Sequence, residues 1–276
     1  VISGLPRLFA VTDDRVVGQG RVVERAREMA AAAGGELAVE LRSRSLGGRA
    51  LLLLARQLAA ALEPKGAWLV LNDRCDVARA ARARAVVSGR SGLLVADVRR
   101  AAPGVQVGRS VHDQAEARSA AREGADFLIA GAVYETASHP DRAPAGLEVV
   151  KAAAATGKPV IAIGGITPER AAPVLDAGAY GLAAIRALWD AARPAAEAEA
   201  FLSALPRRDT VAVTVNGERR LARAGTTLAG LLADLALDPR AVVVEHNRAI
   251  VRREALAGVV VGEGDAIELV HFVGGG

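Results

Sequence analysis

Over the first 205 residues, short apolar runs alternate with longer segments in which apolar residues recur at helical spacing. The runs read LFAVTD (8–13), LAVELR (37–42), WLVLN (68–72), AVVSG (85–89), VQVGRSV (105–111), DFLIAG (126–131), PVIAIGG (159–165) and YGLAAI (180–185). The segments rich in Ala, Leu, Arg and Glu at 22–33, 50–62, 74–82, 92–102, 113–124, 147–156, 167–178 and 193–205 are expected helices. Thr167-Pro168-Glu169 and Asp113 place acceptors where the first N–H groups of a helix lack partners, and Gly124 and Gly178 suit left-handed helix ends. Near-continuous apolar strands are those of a parallel sheet buried on both faces. Eight strand–helix units in about 200 residues predict an α/β fold, a (β/α)8 (TIM-type) barrel rather than an open sheet of about five or six strands. In such a barrel, chemistry is expected at the C-terminal ends of the strands.

The pattern changes after residue 205. PRRDT (206–210) reads as a linker, and from Val211 the chain reads strand, Asn216-Gly217 turn, strand. Asn-Gly is a strong hairpin signal because both residues tolerate positive φ. A helix is expected at 226–235 and short strands at 241–247 and 267–273. The order ββα, then ββ, predicts a small α+β domain over 211–276, ending in Gly274-Gly275-Gly276.

Composition narrows the classes. With 51% hydrophobic and 24% charged residues the chain has the material for a core, which argues against disorder. The longest apolar runs, such as 51–55, fall far short of the roughly 20 residues that span a bilayer. No signal-peptide pattern opens the sequence, although a first residue of Val suggests trimming, and a cytoplasmic protein is expected. Cys75 is the single cysteine, so a disulfide scaffold or multi-cysteine zinc site is excluded, and it is expected to pack rather than react. The net charge is +4, and the basic residues are scattered arginines with three lysines. With aromatics at 3%, stacking platforms for nucleic acid are not expected, whereas small anions such as phosphates suit the charge.

The small domain resembles the ubiquitin-like (β-grasp) sulfur carriers, ThiS in particular, through Val213–Gly217, Thr226-Thr227-Leu228, Glu245-His246-Asn247, Val251 and Gly262–Asp265 before IELVHFVGGG. The resemblance implies that the Gly276 carboxylate, behind Gly275, is adenylated and becomes a thiocarboxylate. It implies thiazole synthase and an adenylating ThiF-like enzyme as partners. A tail without Cβ atoms could enter a narrow adenylating cleft.

The barrel resembles the thiamine phosphate synthase/TenI superfamily over residues 5–205. The resemblance is carried by Leu8–Asp13, Glu40-Leu41-Arg42, Leu71-Asn72-Asp73-Arg74, Gly108-Arg109-Ser110-Val111-His112, Gly124–Phe127, Tyr134-Glu135-Thr136 and Val160–Pro168. Two branches are implied. The synthase joins a thiazole phosphate to a pyrimidine pyrophosphate with Mg²⁺ held by aspartates. Here Asp73 is present, but the second aspartate position is Gly92, the pyrophosphate lysine position is Arg44, and the Thr-x-Thr-Lys segment reads Thr136-Ala137-Ser138-His139. The TenI branch, thiazole tautomerase, has Ser-Gly where this chain has Ser91-Gly92. Its reaction aromatises a carboxythiazole phosphate tautomer by proton transfer and needs no metal. That branch's histidine position is Ala132 here, so the expected catalytic candidates are His112, His139 and Glu135. Each also has a structural alternative: a partner of the helix start, an exposed loop residue and an orienter of backbone donors, respectively.

Phosphate is expected at Gly164-Gly165 and at the exit Ala183-Ala184-Ile185-Arg186, where backbone N–H groups face an anion. Arg42, Arg44 and Arg109 are expected to hold the substrate carboxylate, with Asn72, Asp73 and Thr136 at the ligand. The leading expectation is a tautomerase fused to a sulfur carrier, without a metal or cofactor. The alternatives are a synthase with an altered Mg²⁺ site and a barrel serving as a non-catalytic scaffold. The oligomeric state stays open, a homo-oligomer included.

Overall fold

A computed structural model describes residues 4–136, 143–206, 210–262 and 264–271. The chain divides into two compact units, 1–205 and 206–276. In the first, strands β1 (Leu8–Val11), β2 (Leu37–Leu41), β3 (Trp68–Asn72), β4 (Ala85–Ser88), β5 (Gln106–Val111), β6 (Phe127–Gly131), β7 (Val160–Ile163) and β8 (Gly181–Ala184) form a closed barrel in sequence order. All eight neighbours pair in parallel, and Leu8↔Leu182 closes the ring. The eight apolar runs thus become the eight barrel strands.

Strand alternation sorts the side chains into two cores. Leu8 and Ala10 of β1 join the layer between barrel and helices, while Phe9 and Val11 point into the barrel. On β2, Leu37, Val39 and Leu41 face the helices and Ala38 the interior, so Glu40 shares the interior side with Ala38. Phe9, Trp68, Phe127 and Ile161 fill the barrel below the strand ends. Trp189, fully buried, donates from its indole Nε1 to the Val11 carbonyl at 2.8 Å, tying the chain after β8 to β1.

Helices cover the expected segments, from Val22–Ala33 to Pro194–Ala204, with ends displaced by a few residues. Two short helices, Asp14–Gly18 and Arg186–Trp189, had no periodic signal because neither completes two turns. Asp113 caps as expected, accepting from Glu116 N at 2.8 Å. Thr167 makes no side-chain cap bond, and its segment opens as a 3-10 turn, Pro168–Arg170, before the helix Ala171–Asp176. Among the described residues no helix is long and apolar enough to cross a membrane.

The second unit is a β-grasp fold: β9 (Thr210–Val215), β10 (Glu218–Arg223), the helix Leu228–Asp234, β11 (Val242–His246), β12 (Ala249–Val251) and β13 (Ala266–His271). The sheet order is β10-β9-β13-β11-β12, with β13 parallel to β9 and antiparallel to β11. Asn216 and Gly217 take φ of 49° and 79°, as the hairpin reading requires. The expectation of two strands after the helix is corrected to three. Asn247 and Arg248, both at positive φ, turn the chain into β12, whose three residues are too few to show alternation. Val213, Leu228, Leu231, Val244 and Ile267 centre a separate core.

Candidate active site

A cavity of about 850 Å³ opens where the barrel strands end. It gathers His112, Glu135, Arg42, Arg44, Asn72, Asp73, Thr136, Gly164, Gly165 and Ala184 from the expected site residues, together with Ala132. Two expected residues lie elsewhere. Arg109 does not line the cavity; its Nη1 donates to Ser88 Oγ (3.0 Å), Leu93 O (3.0 Å) and Gly89 O (3.3 Å), so it clamps the loop after β4 rather than meeting a substrate carboxylate there. Ala183 is fully buried inside the barrel. His139, Gly275 and Gly276 lie outside the described residues.

The wall is rich in charge: Arg42, Arg44, Arg90, Arg170 and Arg186 border it together with Glu40, Asp73, Glu135 and Glu169. Thr12, fully buried, fixes the end of β2 by donating from Oγ1 to Arg42 O and accepting from Arg42 N, both at 2.9 Å. Asp14 shapes the next residues. Its Oδ1 accepts from Ser43 Oγ (2.6 Å), Ser45 Oγ (2.7 Å) and the amides of Arg44 (2.9 Å) and Ser45 (3.0 Å). Those bonds, Ser43 first, hold the Asp14 carboxyl far below the ordinary carboxylate range. Arg170 stacks its guanidinium over Tyr134 at 5.2 Å and donates to Gly165 O at 3.1 Å.

Gly164 (φ 108°) and Gly165 (φ 62°) carry the chain past the loop after β6 in a conformation that L side chains avoid. A Cβ on Gly164 would sit 2.7 Å from the Ala132 Cα, and one on Gly165 would sit 2.5 Å from the Glu135 carbonyl. The pair is thus both cavity wall and close backbone packing.

Asp73, itself at φ 57°, spends Oδ1 on the Gly89 amide at 2.8 Å. A Cβ on Gly92 would meet that oxygen at 2.2 Å and Ser88 Oγ at 2.5 Å, so any side chain at position 92 would require the Asp73 and Ser88 side chains to shift. Among the described residues no three His, Cys, Asp or Glu side chains are grouped to hold a metal ion. Of the two aspartate positions of the synthase branch, this chain supplies a carboxylate only at Asp73, because Gly92 has no side chain, so the residues present do not make the two-aspartate Mg²⁺ site.

His112 is held by Glu116, one helical turn on: Oε2 accepts from the His112 amide at 2.9 Å and lies 2.9 Å from the ring Nδ1. Arg90 pairs with the other carboxylate oxygen. Burial alone would raise the Glu116 carboxyl, but the His112 and Arg90 bonds outweigh it and lower the pKa. With Nδ1 on a carboxylate, Nε2 is the nitrogen left for a ligand. Asp113, not His112, caps the helix, which leaves the imidazole to its pairing with Glu116 and to the cavity wall.

Sequence reasoning left Glu40, Glu116, Arg90 and Arg170 unassigned. The His112/Glu116 spacing of four was a legible pairing signal, and the carboxylate alone among the apolar residues of β2 was another. Cys75 is 5% exposed and burial raises its thiol pKa, consistent with packing.

A family model described as thiamine monophosphate synthase matches residues 8–188, and the ThiS family model matches 213–276. The thiamine-phosphate synthase of Methanoculleus marisnigri is 40% identical over 184 residues, 66% of this chain and 86% of that protein. The putative thiamine-phosphate synthase 2 of Aquifex aeolicus is 35% identical over 184 residues, covering 66% of this chain and 96% of the relative. The structure of thiamine phosphate pyrophosphorylase from Pyrococcus furiosus superposes with a TM-score of 0.64 at 30% identity, over 72% of this chain and 94% of that one.

Proposed function

This chain belongs to the thiamine monophosphate synthase (TMP-TENI) family and carries a ThiS-family domain, and from that premise we propose that its barrel aromatises a carboxythiazole phosphate tautomer while its second unit carries sulfur as a Gly276 thiocarboxylate. The observation that carries the barrel reading is the His112–Glu116 pair, with His112 on the cavity wall, in a chain whose second aspartate position is Gly92. The substrate phosphate lies against Gly164 and Gly165, and Arg42 and Arg44 take its carboxylate. His112 Nε2 withdraws a proton from carbon, and Glu116 stabilises the imidazolium that forms. The C–H electron pair enters the ring, a proton is returned to a second ring position, and nothing is oxidised. No metal takes part in this route.

The test starts from thiazole synthase making the unaromatised phosphate, with ring formation followed by absorbance. The barrel should accelerate aromatisation equally with Mg²⁺ and with EDTA. A second reading, synthase activity, draws on the names of the relatives. Thiamine phosphate formed from the two half-molecules, only with Mg²⁺, would replace the proposal with it. Ligand binding without either turnover would leave the barrel a scaffold.

For the second unit, incubation with a ThiF-like adenylating enzyme, ATP and a sulfur donor should exchange oxygen for sulfur at Gly276. Intact mass reads that exchange, and an unchanged mass would remove the carrier role. The partners implied are that enzyme and thiazole synthase.

A further inference from the structure

We propose that Glu40 is the proton donor of this cavity, giving its carboxyl proton to the ring of the bound heterocycle as His112 withdraws one elsewhere on it. The inference rests on the aromatisation reading above. A glutamate 3% exposed, on a strand whose other residues are apolar, is costly unless paired, and Glu40 has no salt bridge among the described residues. Its one hydrogen-bond partner among them is neutral: Asn72 Nδ2 donates to Oε1 at 3.2 Å. Nothing bonds Oε2 among the same residues, yet Glu40 borders the cavity. Strand parity sends it inward on the same side as Ala38. A carboxyl in such a place is stable as the neutral acid, the form that can donate.

The groups acting on it are few. Arg42 lies just past the end of β2, Asp73 follows β3, and β1 offers Val11 in register. Burial, the largest influence, pushes the Glu40 carboxyl up to about 7, Arg42 and Asn72 pull it down, and Asp73 pushes it up again. The cavity therefore holds two groups with separate duties: an imidazole oriented by a carboxylate and a carboxyl whose burial favours the protonated form up to about pH 7.

In the step, the substrate C–H bond breaks toward His112 Nε2 and its electron pair moves into the ring. A new bond to hydrogen forms with the Glu40 proton. The imidazolium and carboxylate left behind restore their protons through solvent, so the substrate is isomerised without an oxidant or reductant.

The test measures kcat and KM for aromatisation in wild type, E40Q and E40D from about pH 5 to about pH 9. Wild-type activity should fall on the alkaline side through about 7, as the donor ionises. E40Q should lose about 100-fold in kcat with little change in KM and lose that alkaline limb, while E40D is slower but keeps it. A second measurement needs no turnover. The folded carboxyl titrates near 7 and its ordinary value is 4.5, so the folded chain retains a proton that the unfolded chain releases across that window. Wild-type thermal stability should drop as pH rises through the window, and E40Q should lack that part of the drop. E40Q within threefold of wild type with its alkaline limb intact, or with the same stability profile, overturns the proposal. A wild-type barrel that does not accelerate aromatisation overturns the aromatisation reading itself, and this inference with it.

Discussion

Replacing Gly164 with alanine should destabilise the barrel by about 3 kcal/mol, combining the left-handed penalty of roughly 1–2 kcal/mol with overpacking of similar size. Its φ of 108° disfavours any L side chain, and the added Cβ would press on the Ala132 Cα and Cβ at 2.7 Å and on Val133 N at 2.9 Å. Relief by movement is limited, because Tyr134 N donates to Gly164 O at 3.0 Å and Val133 N to Ile163 O at 2.9 Å. In thermal denaturation the barrel transition should drop by about 10 °C, given a few degrees per kcal/mol at this size. Gly124→Ala is the matched control: its φ is 85°, but nothing lies within 4 Å of the new Cβ, so only the conformational cost of about 1 kcal/mol applies. Equal losses in the two variants would mean that the loop after β6 yields to the methyl group. The close packing inferred at Gly164 would then be wrong.

If the barrel aromatises by the proposed route, His112→Ala should lower kcat by about 100- to 1,000-fold while KM stays within a few-fold, since the imidazole would then act in the transition state. Glu116→Gln keeps the shape but removes the charge at Nδ1, and should lose about 10- to 100-fold. The order of the two losses is the informative part. If Glu116→Gln is silent while His112→Ala is severe, the carboxylate only anchors the start of the helix Gln114–Arg122. If both are silent, the proton leaves by another route and Glu135, also on the cavity wall, becomes the residue to replace.

The barrel was readable because strands buried on both faces leave uninterrupted apolar runs, and all eight were placed with their ends correct to within two residues. The site was only partly readable, and parity explains much of the difference. Val107 and Val111 face the helix layer, so Arg109 between them takes the outward parity and reaches the loop after β4. Its Gly-Arg-Ser-Val-His run suggested a ligand contact because the run was read as a motif rather than as alternating faces. The same rule applied to β2 would have marked Glu40 as an inward carboxyl. Glu116 went unassigned although its spacing of four from His112 was legible; His112 itself lies before the helix Gln114–Arg122, whose cap is Asp113. The Asp14 contacts to residues 43–45 join segments about thirty positions apart, which no local pattern encodes.

The place of β13 at the centre of the small sheet, hydrogen-bonded to β9 on one side and β11 on the other, has a mechanical consequence. Tension applied along β13 from its His271 end would load the pairing with β11 from Ile267 to His271 and the pairing with β9 at Ala266 and Ile267 in shear. An edge strand under the same pull would peel away one bond at a time. In the proposed carrier role, a pull on the residues that follow β13 would thus be resisted by paired backbone on both sides of the strand.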